Sequence, residues 1–189
     1  MARSLTASHS IGDSLPSADP LPCTVELGVV IGKTGKNIDE SSAMSHVGGY
    51  TLAIDMTARN VQEQAKKAGL PWSAAKGFDT FNPVSPFIPA DRITDPHNLR
   101  LFLKTNGQTR QDGKTDCMIF RIPHLIKHVS SIMTLEEGDL LLTGTPAGVG
   151  KTEPGDEIHA GLEVPGSGDL LAELKLKVAQ RQQGYTFEE

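Results

Sequence analysis

At 189 residues the chain is long enough for one well-buried domain, and an apolar share of 38% permits such a core. A net charge of −5 with acids and bases interspersed, and only 5% aromatic residues, exclude the basic stripe and stacking rings of a nucleic-acid groove. No apolar run approaches the roughly 18 to 20 residues that span a bilayer, and Cys23 and Cys117 stand far apart in no metal or redox spacing, so free thiols in a reducing compartment are expected.

Residues 1–22 are rich in Ser, Ala, Pro and Asp without periodicity, and read as an irregular or disordered segment. Arg3 is their one Lys or Arg, against Asp13 and Asp19, so a mitochondrial presequence is only weakly suggested. Over residues 24–32 a strand is expected, with Val25, Leu27, Val29 and Ile31 on one face and Thr24, Glu26, Gly28 and Val30 on the other. Glu26 therefore lies either on a solvated face or in a site that supplies a cation. Residues 32–36 form a turn, and 40–46 a short helix.

The stretch 50–76 is the most informative. Leu52 and Ile54 alternate with Thr51, Ala53 and Asp55, which predicts a strand ending on a carboxylate. Thr57 is placed to cap a helix over residues 58–68, stopped by Gly69 and Pro71. Arg59 and Gln62, three apart, share a face in its first turn. Lys76 follows the turn at 70–72. An Asp before a helix commonly serves as a cap, and Arg, Gln and Lys are commonly surface residues. Together, however, they bring a carboxylate for a hard cation, a guanidinium for a carboxylate and an amide for a carbonyl to one place.

Four Pro or Thr breakers make residues 77–89 loop or edge strand. Leucines at 99, 101 and 103 followed by Asn106-Gly107 predict a hairpin over residues 99–110. Residues 118–120 are a possible strand, and Pro123 opens a helix to about Met133. His124 and His128 on it lack the Glu of a zinc-protease helix and a nearby third ligand. After a turn at 135–139 and a strand at 140–142 comes a Gly-rich loop ending Gly150-Lys151-Thr152. It is not a phosphate-binding P-loop, because Thr145 stands where that motif has its first Gly and Pro154 interrupts the following helix. The loop still offers backbone donors and the Thr145 hydroxyl to a small anion. Strands at 157–160 and 170–178 complete an α+β chain in no βαβ rhythm, a strand-rich roll or sandwich with two or three helices.

Four motifs in order, ELGVVIGK from Glu26, GGYTLAIDMTARNVQ ending at Gln62, GLPWSAAKGFDTF and LEEGDLLLTGTPAGVG, resemble the fumarylacetoacetate hydrolase superfamily, and within it the acylpyruvase and oxaloacetate decarboxylase branch. The resemblance implies a mixed β-sandwich roll of the fumarylacetoacetase C-terminal type over residues 23–180, with 181–189 as a tail. It implies a homodimer and a divalent cation, Mg²⁺ or else Mn²⁺, held by two Glu on one strand and an Asp on the next. Glu26 matches the second Glu and Asp55 the Asp, while the first Glu is Thr24 here. Arg59, Gln62 and Thr145 match positions that hold a 2-oxo acid, Thr80 a further lining position, and Lys76 a catalytic one. The family's upstream His and Glu, three residues apart, have no match in residues 1–23, where His9 is followed by Gly12. The resemblance thus implies a member whose first portion is missing or replaced.

The implied activity is metal-dependent hydrolysis of 3-acylpyruvates, with oxaloacetate decarboxylation or tautomerisation at the same site as the alternative and a non-catalytic homologue as a further one. All share a 2-oxo carboxylate that chelates a hard cation, with the cation as electron sink for an enolate. Hydrolysis additionally needs a base to activate water. The implied compartment is mitochondrial, with the cytosol as alternative.

Overall fold

The computed structural model describes residues 9–11 and 21–179. Two five-stranded sheets face each other across one core. The first runs in the order β1 (His9–Ile11), β10 (Leu170–Val178), β9 (Glu157–Glu163), β5 (Arg100–Thr105), β6 (Gln108–Lys114). The second runs β4 (Ile88–Pro89), β3 (Val47–Met56), β2 (Leu21–Ile31), β7 (Leu140–Leu142), with β8 (Gly150–Thr152) also pairing β2. The helices are α1 (Arg59–Ala68), α2 (Ser73–Lys76) and α3 (Ile122–Ile132). This is the expected strand-rich α+β class.

The alternation in β2 builds the core. Val25, Leu27, Val29 and Ile31 are buried together with Leu101 and Leu103 of β5, Ile158 and Ala160 of β9 and Leu174 of β10. Burying each such side chain contributes roughly 1.5–3 kcal/mol. The opposite face of β2 is also buried, with Glu26 only 7% exposed, so of the two readings of that residue the solvated one is out. β2 and β3 are antiparallel, with Thr24 opposite Asp55 and Glu26 opposite Ala53.

The hairpin of β5 and β6 turns on Asn106 and Gly107 at φ 50° and 77°, both positive, as a type I′ turn requires. Gly69, at φ 68°, ends α1 in a left-handed cap whose N–H returns to Ala65 and Lys66 carbonyls.

Three local expectations change. Thr57 does not cap α1: the cap position is Ala58, which lacks a side-chain cap, while Thr57 is buried and its N–H goes to the Pro22 carbonyl. The possible strand at 118–120 does not form, because Thr115–Cys117 is a 3-10 turn tied back to Leu99, and Ile119 and Phe120 are exposed beyond it. Within the segment expected to be irregular, residues 9–11 form β1, parallel to β10; residues 1–8 and 12–20 and the tail lie outside the described residues.

Candidate active site

Directly opposed residues of paired strands share a face. Thr24 and Asp55 are so opposed, and Glu26 is two residues on from Thr24, so all three side chains rise from the same side of the sheet. Glu26 and Asp55 are diagonal neighbours, about 7–8 Å apart at the backbone, a gap that two acidic arms close onto one ion.

Glu26 is held from two directions. Its Oε2 accepts the Gly144 N–H at 2.7 Å, and its Oε1 lies 3.4 Å from the Thr24 hydroxyl, which also faces the Asp55 carbonyl at 3.1 Å. Burial pushes its carboxyl above the usual carboxylate range, and the Asp55 charge adds to this; the Gly144 N–H, Lys76 and Thr24 oppose the rise. Asp55 makes an ion pair through Oδ2 with Lys76 Nζ, and its Oδ1 accepts Asn82 Nδ2 at 3.3 Å.

Lys76 reaches Asp55 because α2 is docked against the start of α1: the Ala58 N–H donates to the Ala75 carbonyl at 2.9 Å, and both alanines are fully buried. Gly77 follows, where a Cβ would stand 2.8 Å from the Ser73 carbonyl. The expected Arg59 and Gln62 pair is present, with Arg59 donating to Gln62 Oε1 at 2.8 Å. It borders a cleft of about 350 Å³ lined by Pro22, Arg59, Glu63, Val149 and Lys151. Pro22 shares the face of Thr24 and Glu26, and Lys151 is its cross-strand partner, so the cleft extends the row of site residues.

Thr80 is exposed with φ 69°, an outlier for a β-branched residue, in the segment that brings Asn82 to Asp55. Thr145 is held by the protein on two sides. Its hydroxyl donates to the Val25 carbonyl and accepts from Gln111 Nε2, both at 2.8 Å, so its one proton is already given to the protein. Asn82 and Gln111 carried no sequence signal. Gly144 lies in the loop singled out for its backbone donors.

The donor set fits a hard divalent cation. Among the described residues no group of three His, Cys, Asp or Glu gathers. Two carboxylates and a hydroxyl remain, and Mg²⁺ or Mn²⁺ is commonly held by one or two carboxylates, with waters and ligand oxygens filling the other positions. Glu26 and Asp55 would hold it, and two neighbouring acids with one lysine leave negative charge for it to offset.

The sequence profile described as "Fumarylacetoacetate (FAA) hydrolase C-terminal" matches residues 6–178. The chain belongs to this family. Among its relatives, the mouse protein named oxaloacetate tautomerase FAHD1, mitochondrial, is 60% identical over 139 residues, 74% of this chain and 63% of that protein. The chain thus spans less than two thirds of the mammalian relatives it matches. The Dictyostelium discoideum protein named oxaloacetate decarboxylase, mitochondrial, is 52% identical over 162 residues, 83% of this chain and 74% of the relative. Of the solved structures similar to it, fumarylpyruvate hydrolase from Pseudomonas aeruginosa, in complex with Mn²⁺ and pyruvate, superposes with a TM-score of 0.81 at 30% identity, covering 94% of this chain and 71% of that one. A yeast family member superposes at 0.85 and 36% identity, covering 93% and 75%.

Proposed function

We propose that this chain acts on oxaloacetate with Mg²⁺ or Mn²⁺, interconverting its keto and enol forms. The observation that carries the reading is the Lys76 ammonium pinned to Asp55 beside the buried Glu26, a fixed positive charge where an enolate oxygen would develop. Relatives at 52–60% identity are named for oxaloacetate chemistry, whereas the fumarylpyruvate hydrolase stands at 30%, so acylpyruvate hydrolysis gives way to the oxaloacetate reading.

A divalent cation, when bound, supplies positive charge that favours the enolate over the keto acid. Lys76 donates a hydrogen bond to the 2-oxygen while the proton lost or gained at C3 is exchanged with water, and a donor of this kind is typically worth about 10² to 10³ in rate. Asp55 holds the ammonium in place. Arg59, backed by Gln62 at the mouth of the cleft, takes the distal carboxylate, with Lys151 beside it. Loss of carbon dioxide from the same enolate-forming geometry is the second reading, favoured by the Dictyostelium relative's name and larger coverage.

The test uses purified chain, enol-enriched oxaloacetate and Mn²⁺ or chelator. Metal-dependent acceleration of ketonisation, followed by ultraviolet absorbance, supports the tautomerase. Release of pyruvate, followed by proton NMR, supports the decarboxylase. Consumption of acetylpyruvate in preference to oxaloacetate would return the hydrolase, and silence in all three assays would leave a non-catalytic homologue. On the relatives' names we also place the chain in the mitochondrion, to be checked by fractionation. A homodimer is supported by apolar Ile119, Phe120, Ile132 and Met133, exposed around the ends of α3, and light scattering measures it.

A further inference from the structure

The outer edge of β2 has a gap. β8 pairs residues 21–23 and β7 pairs residues 28–30, so between them Val25 and Leu27 direct their backbone groups away from β3 with no strand to receive them. Buried backbone groups need partners. Here side chains supply three of these bonds, and the Thr143 N–H adds one to the Leu27 carbonyl at 3.2 Å. Thr143 donates its hydroxyl to the Leu27 carbonyl at 2.9 Å, and Thr145 its hydroxyl to that of Val25. The third comes from the other sheet: Gln111 of β6, 1% exposed, accepts the Val25 N–H on its Oε1 at 2.9 Å. Its Nε2 donates to Thr145 Oγ1 and to the Pro146 carbonyl, both at 2.8 Å. Three of the carboxamide's four hydrogen-bonding positions are used.

The ring of Gln111, Val25 and Thr145 adjoins Glu26 through the chain. Val25 is its chain neighbour and sets where its backbone stands. Thr145 follows Gly144, whose N–H grips the Glu26 carboxylate. One amide therefore fixes both the root of the Glu26 side chain and the donor that aims its tip. Carboxylates that hold a cation depend on such outer partners, whose loss typically costs about 10- to 100-fold in metal affinity.

We infer that Gln111 is a positioning residue for Glu26, coupling β6 of one sheet to the carboxylate face of the other and thereby setting the affinity for a divalent cation. The cation part rests on the reading above; the geometry of Gly144 and Glu26 does not.

Two variants of the full chain separate these. Gln111→Glu keeps an acceptor for Val25 but turns the donor facing Pro146 into an oxygen, and Gln111→Met keeps the volume without either. Both are expected to shift the Gly144 amide resonance, to speed its hydrogen exchange at least tenfold, and to weaken Mn²⁺ binding, read by electron paramagnetic resonance of the free ion, by 10- to 100-fold. Ile126→Val, on the buried face of α3, lowers the melting temperature but is expected to move none of these readouts. Thr145→Val opens the same ring from the loop side and should reproduce the effect, with Thr145→Ser restoring it; this pair decides if the Gln111 variants do not fold. Variants that melt earlier yet keep parental Gly144 exchange would overturn the inference. Parent protein that takes up no Mn²⁺ would instead refute the cation reading, and the Gly144 amide alone then judges Gln111.

Discussion

Replacing Thr24 by Glu would add a third carboxylate to the shared face, directly across from Asp55 and two residues before Glu26. At roughly 6 Å and an effective dielectric of about 20, each like-charge pair costs about 3 kcal/mol. Two such pairs, offset by about one comparable attraction to Lys76, leave a net destabilisation of about 3 kcal/mol in the absence of metal. For a domain of this size that corresponds to a melting temperature lower by about 6–12 °C. Mn²⁺ at 100 times the variant's dissociation constant returns about 2.7 kcal/mol to it but only about 1.4 kcal/mol to a parent that binds tenfold more weakly, so the deficit should fall to roughly half when the ion is present. The added ligand should tighten Mn²⁺ binding at least tenfold, about 1.4 kcal/mol. Thermal unfolding of parent and Thr24→Glu, each with Mn²⁺ and with chelator, measures all of this, and calorimetric titration gives the affinities. A variant as stable as its parent in chelator would mean that the acids do not share a field. One that Mn²⁺ fails to rescue would remove the cation from the site.

Lys76→Ala should reduce oxaloacetate ketonisation by about 10² to 10³ in kcat while Mn²⁺ binding persists, since an enolate donor acts on the reacting oxygen and not on the ion; a parental kcat would exclude that role. Gly113→Ala places a Cβ 2.6 Å from Pro146 Cβ, so the loop must retreat from β6. Overpacking of this kind costs typically 1–3 kcal/mol, and Mn²⁺ affinity should fall with it, both read by unfolding with and without the ion. In alkali, burial holds the Cys23 thiol at about 12 against an ordinary 9.0, and the Tyr50 hydroxyl at about 12 against 10.0. Both ionise first in the unfolded chain, so stability is fully present below pH 9 and is lost as pH rises toward 12, by at most about 1.4 kcal/mol per pH unit for each group. Cys23→Ala should flatten that slope in urea unfolding, and in the native protein a thiol reagent should modify exposed Cys117 but not Cys23; equal labelling of both would contradict the burial argument.

Features governed by neighbours in sequence were legible. The Leu52 and Ile54 alternation marked β3, Asn106-Gly107 marked the hairpin, and Gly69 marked the end of α1, because each reflects backbone preferences acting over a few residues. The spacing of Arg59 and Gln62 put them on one face of α1, although their hydrogen bond to each other was not expected. What escaped depends on partners far along the chain. Gln111 meets Val25 across 86 positions and Gly144 meets Glu26 across 118, and neither residue type is unusual where it stands. Thr145 stood out as a hydroxyl on the Gly-rich loop, but its bond to the Val25 carbonyl, 120 positions away, could not be read from the sequence. Thr57 failed as a cap for a related reason: tertiary contact with Pro22 outweighed a local preference.

The loop at 143–148 closes the gap in β2 on one side and lies against β6 on the other, where a Cβ on Gly148 would stand 2.1 Å from the Arg110 carbonyl. Swinging it outward would strand the backbone of Val25 and Leu27 and release Glu26 at once. It is therefore a fixed wall, and on the proposed reading the acid would enter at the flank where Arg59, Val149 and Lys151 line the cleft. Changes that widen or narrow that flank should alter which acids are admitted, while changes to the wall should alter whether anything is turned over.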